Sequence, residues 1–165
     1  MSLRATLHDR LMTVWAGDPW HGWSSKKILE DVSATEAVQR PLAGAQSIWD
    51  CTNHLIAWTE EVTARLSGSP GKAPVRGDWP ATIDSGPAAW AATLAEVKAA
   101  RLALLDAIEK SHEEDLYTQV AKLHDGAPSA PMTRAQTVSG LIDHDIYHLG
   151  QIAMLKKAIR HATPR

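Results

Sequence analysis

The sequence predicts an all-α protein whose fold is a four-helix bundle with long connections between the helices. Apolar residues recur at helical spacing in four long segments, at about 3–16, 47–66, 87–110 and 133–159. Residues that start or stop helices flank these segments, and no stretch has the convincing alternation of a β-strand. The connections are about 16 to 30 residues long, which a bundle with crossover loops accommodates. The length of 165 residues suggests one domain, predicted over residues 1–165.

The first helix is predicted from about Leu3 to Ala16, because leucines recur there at helical spacing and the segment 17–19, Gly-Asp-Pro, ends it. A short helix follows at about 24–32, capped by one of two serines. Ser33 and Glu36 then have the spacing of a capping box, which predicts a second short helical piece. This part of the chain is therefore a connection with helical turns.

The second and third long helices are separated by a long loop. The second is predicted from Ser47 to about Leu66, and the third begins at Gly86-Pro87 and reaches about Lys110. The loop, about residues 67–85, contains the sequence Asp78-Trp79-Pro80 and several other glycines and prolines. Its length is typical of a loop that covers a functional site.

The fourth long helix begins at another predicted capping box, formed by Thr133 and Gln136. It should continue to about Ile159. The preceding segment, about 117–132, is rich in glycine and proline and shows little periodicity, so it is predicted to be a connection.

Two histidines on the fourth helix form the first candidate site. His144 and His148 are four residues apart, so both lie on one face, at the shoulder of the apolar arc. Such a pair can hold one divalent metal if another helix supplies a further ligand. His54 occupies a similar position on the second long helix. The pattern is compatible with a three-histidine metal site, and equally with three histidines that only pack against the core.

The sequence also resembles the DinB-like superfamily, which is described as DinB/YfiT-like metal-dependent hydrolases. The resemblance rests on the segments 143–152, 47–58 and 78–80, and it covers nearly the whole chain, including 20–22. It implies a four-helix bundle, often dimeric, that holds a divalent ion on a histidine triad, with zinc or nickel as the metal. The family pattern is one histidine in the second bundle helix and H-x-x-x-H followed by Gly-Gln in the last.

Carried over residue by residue, the resemblance implies that His54, His144 and His148 are the metal ligands. The better-understood relatives are transferases and isomerases that use low-molecular-weight thiols such as bacillithiol or mycothiol. A metal would turn such a thiol into a nucleophile, and it would activate water for hydrolysis equally well. We therefore expect an enzyme of the hydrolase or thiol-dependent S-transferase type that acts on a small molecule. The alternative is a non-catalytic, metal-binding stress-response bundle.

Four helix residues are candidates for a catalytic role, each with a structural alternative. Asp50, one turn before the histidine of its helix, is a candidate for orienting a ligand ring, or is a solvated carboxylate at a helix start. Asp145 falls inside the apolar arc and needs a partner, such as an arginine or a histidine from another helix. Gln151 is predicted to face the pocket or to bond across the bundle, and Tyr147 to donate a proton or to cap the surface.

A fifth candidate lies in the loop after the first helix. His21, with Trp20 and Trp23 on either side, is a candidate for the mouth of the pocket. The alternative is a loop that its indole rings anchor to the protein.

Composition limits the partners. The net charge is −2 and the basic residues are scattered, so nucleic acid is not an expected partner. No window approaches 18 consecutive apolar residues, which argues against a membrane span, and the first 15 residues lack the apolar run of a signal peptide. The single cysteine, Cys51, cannot form an internal disulfide. We expect a soluble cytoplasmic protein, and a homodimer on the grounds of the resemblance.

Overall fold

Six α-helices and one 3₁₀ helix make up the part of the chain that the computed structural model describes, residues 1–120 and 132–162. The helices are α1 (Leu3–Ala16), α2 (Ser25–Leu29), α3 (Ala34–Ala37), α4 (Ile48–Leu66), α5 (Pro87–Lys110), the 3₁₀ helix (Glu114–Tyr117) and α6 (Arg134–Ala162). No β-strand occurs in the described residues, so the predicted all-α class is confirmed. Of the predicted connection at 117–132, residues 121–131 lie outside the described part.

The four long helices, α1, α4, α5 and α6, form the bundle. Helix α4 packs against α5 and α6, and α1 packs against the same two helices. The order around the bundle is therefore α1, α5, α4, α6. Each of these helices contributes fully buried apolar side chains to the centre of the bundle, for example Leu11, Ile48, Leu104, Ile142 and Ile152. Burying one such side chain contributes about 1.5–3 kcal/mol, so this shared core holds the bundle together.

The helices begin where local sequence signals place them. At the start of α3 the Ser33 hydroxyl accepts the backbone N–H of Glu36, and the Glu36 carboxylate accepts the N–H of Ser33. Thr133 and Gln136 make the same reciprocal bonds before α6. Both predicted capping boxes are confirmed. Helix α2 ends at Leu29, earlier than predicted, and a turn follows in which the N–H of Val32 donates to the carbonyl of Leu29.

Two buried indole rings join α4 to α5 and join the segment between α2 and α3 to α5. Trp49 of α4 and Trp90 of α5 are buried and meet edge to face, with ring centroids 4.9 Å apart. Trp90 Nε1 donates to the carbonyl oxygen of Val32 at 2.7 Å, and Trp49 Nε1 donates to the hydroxyl of Thr93 at 3.0 Å. Both indole N–H groups are therefore satisfied inside the core, and the Trp90 bond ties the connection between α2 and α3 to α5.

We expect Trp90→Phe to lower the free energy of unfolding by about 1–3 kcal/mol, because the buried carbonyl of Val32 loses its donor and the smaller phenyl ring leaves a cavity. Urea denaturation measures this change. The matched control is Trp20→Phe, since Trp20 is fully exposed and its replacement should change the stability by less than about 0.5 kcal/mol. Equal effects at the two positions would contradict the role given to the Trp90 bond.

A buried ion pair joins α5 to α6. Arg101 Nη2 donates to Asp145 Oδ1 at 2.9 Å, and Arg101 Nη1 lies 2.6 Å from Asp145 Oδ2. The two residues are 3% and 2% exposed. Asp145 thus has an arginine partner from another helix, and its carboxylate is occupied in a structural contact.

Among the described helices, none combines the length and the apolar character that crossing a membrane requires.

Candidate metal centre

Three histidines from two packed helices come together at one side of the bundle. His54 belongs to α4, and His144 and His148 belong to α6. Each offers one ring nitrogen, and these three atoms all lie within 4.8 Å of one another. His54 and His148 are buried and His144 is half-buried. The helical spacing of four residues and the packing of α4 on α6 therefore produce one compact cluster.

Two of the rings are held by hydrogen bonds on their Nδ1 side. His54 Nδ1 lies 2.5 Å from the backbone carbonyl oxygen of Asp78, and His148 Nδ1 lies 2.8 Å from Oε1 of Gln151. Both oxygens only accept, so the proton of each neutral ring is on Nδ1. The lone pair is then on Nε2, and the Nε2 atoms are the ones left free to bind a cation.

His144 lacks such a partner. Its Nδ1 atom is buried and has no hydrogen-bond partner in the described residues, and its Nε2 lies 2.9 Å from Nε2 of His54. Buried polar atoms in proteins are normally paired, and here Nδ1 of His144 is not, while its Nε2 faces another ring nitrogen instead of an oxygen. A cation bound by the cluster would take the place of this nitrogen–nitrogen contact, and three imidazole side chains fit such a cation.

The surroundings keep two of the rings neutral. Burial lowers the pKa of His144 to about 4, with smaller contributions in the same direction from the neighbouring rings of His148 and His54. Burial also lowers the pKa of His148. At neutral pH both rings are uncharged, which is the form of imidazole that coordinates metals.

The loop between α4 and α5 covers the cluster. The ring of Trp79 stacks on His54, with centroids 3.9 Å apart and planes 10° from parallel. Trp58 Nε1 donates to Oδ1 of Asp78 at 2.8 Å, which fixes the loop to α4. The loop predicted at about 67–85 therefore lies over the histidines, and its backbone orients one of them.

An apolar cleft opens beside the cluster. It has a volume of about 340 Å³. Trp58, Val62, Leu141 and Met132 contribute to its walls, next to the rings of His54 and His144. Small-molecule sites are concave, largely apolar and of this order of size, about 300–1,000 Å³.

The comparison with protein families agrees with this geometry. The model of the DinB superfamily matches residues 24–152, most of the chain, and the three histidines lie within that range. The chain belongs to the DinB superfamily. The resemblance stated from the sequence is thus confirmed. Neither the curated proteins nor the solved structures gave a match.

In this DinB superfamily protein, two of the candidate residues contact the cluster. Gln151 lies one turn after His148 on α6 and orients its ring. Tyr147 meets the His148 ring edge to face, with centroids 4.9 Å apart, and its side chain is largely exposed. Both residues therefore stay candidates for a role at the site.

The described bonds of two other candidates serve the scaffold. Asp50 Oδ2 accepts the backbone N–H of Ser47 at 2.8 Å, which completes a capping box at the start of α4, and it also pairs with Arg40 at 2.6 Å. Asp145 pairs with Arg101. These bonds favour the structural alternatives for both carboxylates.

His21 lies away from the histidine cluster. It lines a separate cavity on the far side of α6. The expectation that indoles anchor its loop is wrong, because Trp20 is fully exposed and Trp23 is 62% exposed. Gly22 has a φ of 130°, a backbone conformation that glycine adopts easily, and the loop follows the surface.

Sequence reasoning did not assign roles to Asp78, Trp79 and Arg101. The segment 78–80 stands out in the sequence, but the role of a backbone carbonyl leaves no side-chain signal. A signal for Arg101 did exist, because it lies on the same helical face as the buried residues Leu104, Leu105 and Ile108. A charged residue on that face requires a buried partner.

Proposed function

We propose that this DinB superfamily protein is a metal-dependent enzyme that holds a divalent ion on His54, His144 and His148. The observation that carries the proposal is the convergence of three ring nitrogens within 4.8 Å beside an apolar cleft. Three imidazoles leave one or two coordination positions for water or substrate. Imidazole ligands suit both zinc and nickel, which are the metals proposed here.

The protein's own residues have defined tasks in this proposal. The carbonyl of Asp78 and the amide of Gln151 keep protons on Nδ1 of His54 and His148 and thereby aim Nε2 at the ion. Trp79 shields one ring from water, and the apolar cleft accepts the substrate. The bound ion would lower the pKa of a coordinated water or thiol.

The reaction class is proposed as hydrolysis or transfer of a low-molecular-weight thiol to a small-molecule substrate. Both need the same arrangement, a metal with an open position next to an apolar cleft. We also propose the homodimer, the single domain over 1–165 and the cytoplasmic location expected from the sequence. The mass of the native protein in solution tests the first of these.

A non-catalytic metal-binding bundle is the second candidate. The burial of His54 and His148 favours it, because structural metal sites are closed. The two candidates differ in whether the bound ion keeps an exchangeable position.

Titration of metal-free, untagged protein with zinc, nickel and cobalt tests the proposal. We expect about one ion per chain, a modest rise of the melting temperature, and a cobalt absorption spectrum that changes when a low-molecular-weight thiol is added. A melting temperature that collapses on chelation, with a spectrum insensitive to added thiol, would favour the structural candidate. No metal binding at all would contradict both, and a thiol-sensitive spectrum would justify a screen for thiol transfer.

Gln151→Ala should weaken metal binding by about 10- to 100-fold, because the His148 ring loses the acceptor that fixes its orientation. Competition with a chromophoric chelator measures the affinity. Gln151→Glu is the matched variant, since it keeps an oxygen at the same reach, and its affinity should stay near that of the wild type. An unchanged affinity in the alanine variant would contradict the orienting role.

A further inference from the structure

A cavity lies on the side of α6 that faces away from the histidine cluster. Its volume is about 710 Å³, and its walls come from α6 and from the segment 21–31. Ala153, in the middle of the α6 wall, lies about 180° around the helix from His144. The cavity is therefore separate from the candidate metal centre, and the inference drawn from it does not depend on the proposed function.

The floor of the cavity is apolar and roomy. Ile28, Ile146, Leu149 and Ala153 line it, and Trp23 stands at its edge. Gly150 adds space, because a Cβ atom built there would meet nothing within 4 Å. Apolar walls of this kind favour a ligand with a hydrocarbon or aromatic body.

One end of the cavity is built from charged residues that balance one another. Lys156 Nζ donates to the carbonyl of Ile28 at 2.8 Å and pairs with Asp31. Arg160 pairs with Asp31 at 2.9 Å and with Glu36 at 2.8 Å. Two cations thus face two carboxylates, and these pairs hold α6 against the chain that forms the opposite wall.

Lys157 carries a positive charge that no carboxylate among the described residues of the cavity balances. It lines the cavity, is exposed, and makes no hydrogen bond or ion pair within residues 1–120 and 132–162. His21 and His161 add two rings that can donate an N–H. The cavity therefore carries one unbalanced positive charge at an end of an apolar floor.

We propose that this cavity binds a small organic anion with an elongated apolar body, of the medium-chain carboxylate type. The carboxylate lies at Lys157 and the body lies along Gly150 towards Ile146. Ile146 and Lys157 are 11 positions apart, about 16 Å along the helix axis. That distance accommodates a medium-chain fatty acid in extended form.

Decanoate and decylammonium, matched in length and opposite in charge, test the proposal by ligand-observed NMR titration of the full chain below the micellar concentrations. We expect saturable binding of decanoate and weaker binding of decylammonium. Lys157→Gln should weaken decanoate binding about threefold, the effect of one partly exposed ion pair. Lys98→Gln is the matched control, because Lys98 is exposed and lies outside the cavity, and it should bind decanoate like the wild type.

Gly150→Leu and Ala153→Leu fill the cavity from two positions. Leucine favours helix more than glycine does, so the first variant should fold, and its melting curve verifies this. Both should weaken decanoate binding at least tenfold while the cooperative melting transition is retained. The proposal would be overturned if the wild-type protein did not bind decanoate saturably or bound decylammonium as tightly. It would also be overturned if both leucine variants bound decanoate with the wild-type affinity.

Discussion

Arg101→Met should lower the free energy of unfolding by about 3–5 kcal/mol, because it leaves the carboxylate of Asp145 buried without its cationic partner. Both side chains of the pair are almost completely buried between α5 and α6. Methionine has a comparable length and fills most of the space, so the loss reports the unpaired charge more than a cavity. Urea denaturation at neutral pH measures the change.

Two further variants make this test specific. The double variant Arg101→Met/Asp145→Leu removes both charges and should recover most of the lost stability, because replacing a buried pair with apolar residues is often neutral. Arg10→Met breaks the exposed pair between Arg10 and Asp143, which joins α1 to α6, and should cost less than about 1 kcal/mol. If Arg101→Met lowered the free energy of unfolding no more than Arg10→Met, the buried pair would contribute no more to stability than the exposed one.

Under the proposed function, His148→Ala should abolish nearly all of the metal binding of the wild-type protein. The variant deletes one of three ring nitrogens, and the remaining two ligands leave the ion with too few protein contacts for a stable site. Mass spectrometry of metals in untagged protein after gel filtration measures the content. The metal-free forms of variant and wild type should melt cooperatively, which shows that the loss of metal is not a loss of fold.

His8→Ala is the control for this experiment. His8 lies on α1 next to Asp9 and Glu109, away from the cluster, and its replacement should leave the metal content unchanged. A metal content at the wild-type level in His148→Ala would contradict the three-histidine site. Metal lost equally in both variants would indicate adventitious binding to histidines.

The local parts of the fold were predictable because their signals are local. Helix α1 has the predicted bounds, Leu3–Ala16, and the box of Thr133 and Gln136 starts α6 where the sequence places it. Capping depends on residues three positions apart, so a single sequence contains all of the information. The shared face of His144 and His148 follows from the helical repeat in the same way.

The long-range parts were not predictable from the pattern. The position of Asp145 in an apolar arc showed that it needs a partner, but the choice of Arg101 depends on which helices are neighbours in the bundle. The exposure of Trp20 has a related cause. Indoles are buried on average, but only the packed structure shows whether a surface is available to cover a particular one.

The bond between His54 and the backbone of Asp78 couples the position of the loop to the orientation of the His54 ring. The same loop places Trp79 over the ring and holds the ring's Nδ1 proton. The loop cannot lift away from the cluster without releasing the His54 imidazole to rotate about its χ angles. A displacement of this loop would therefore also change the orientation of the His54 ring relative to His144 and His148.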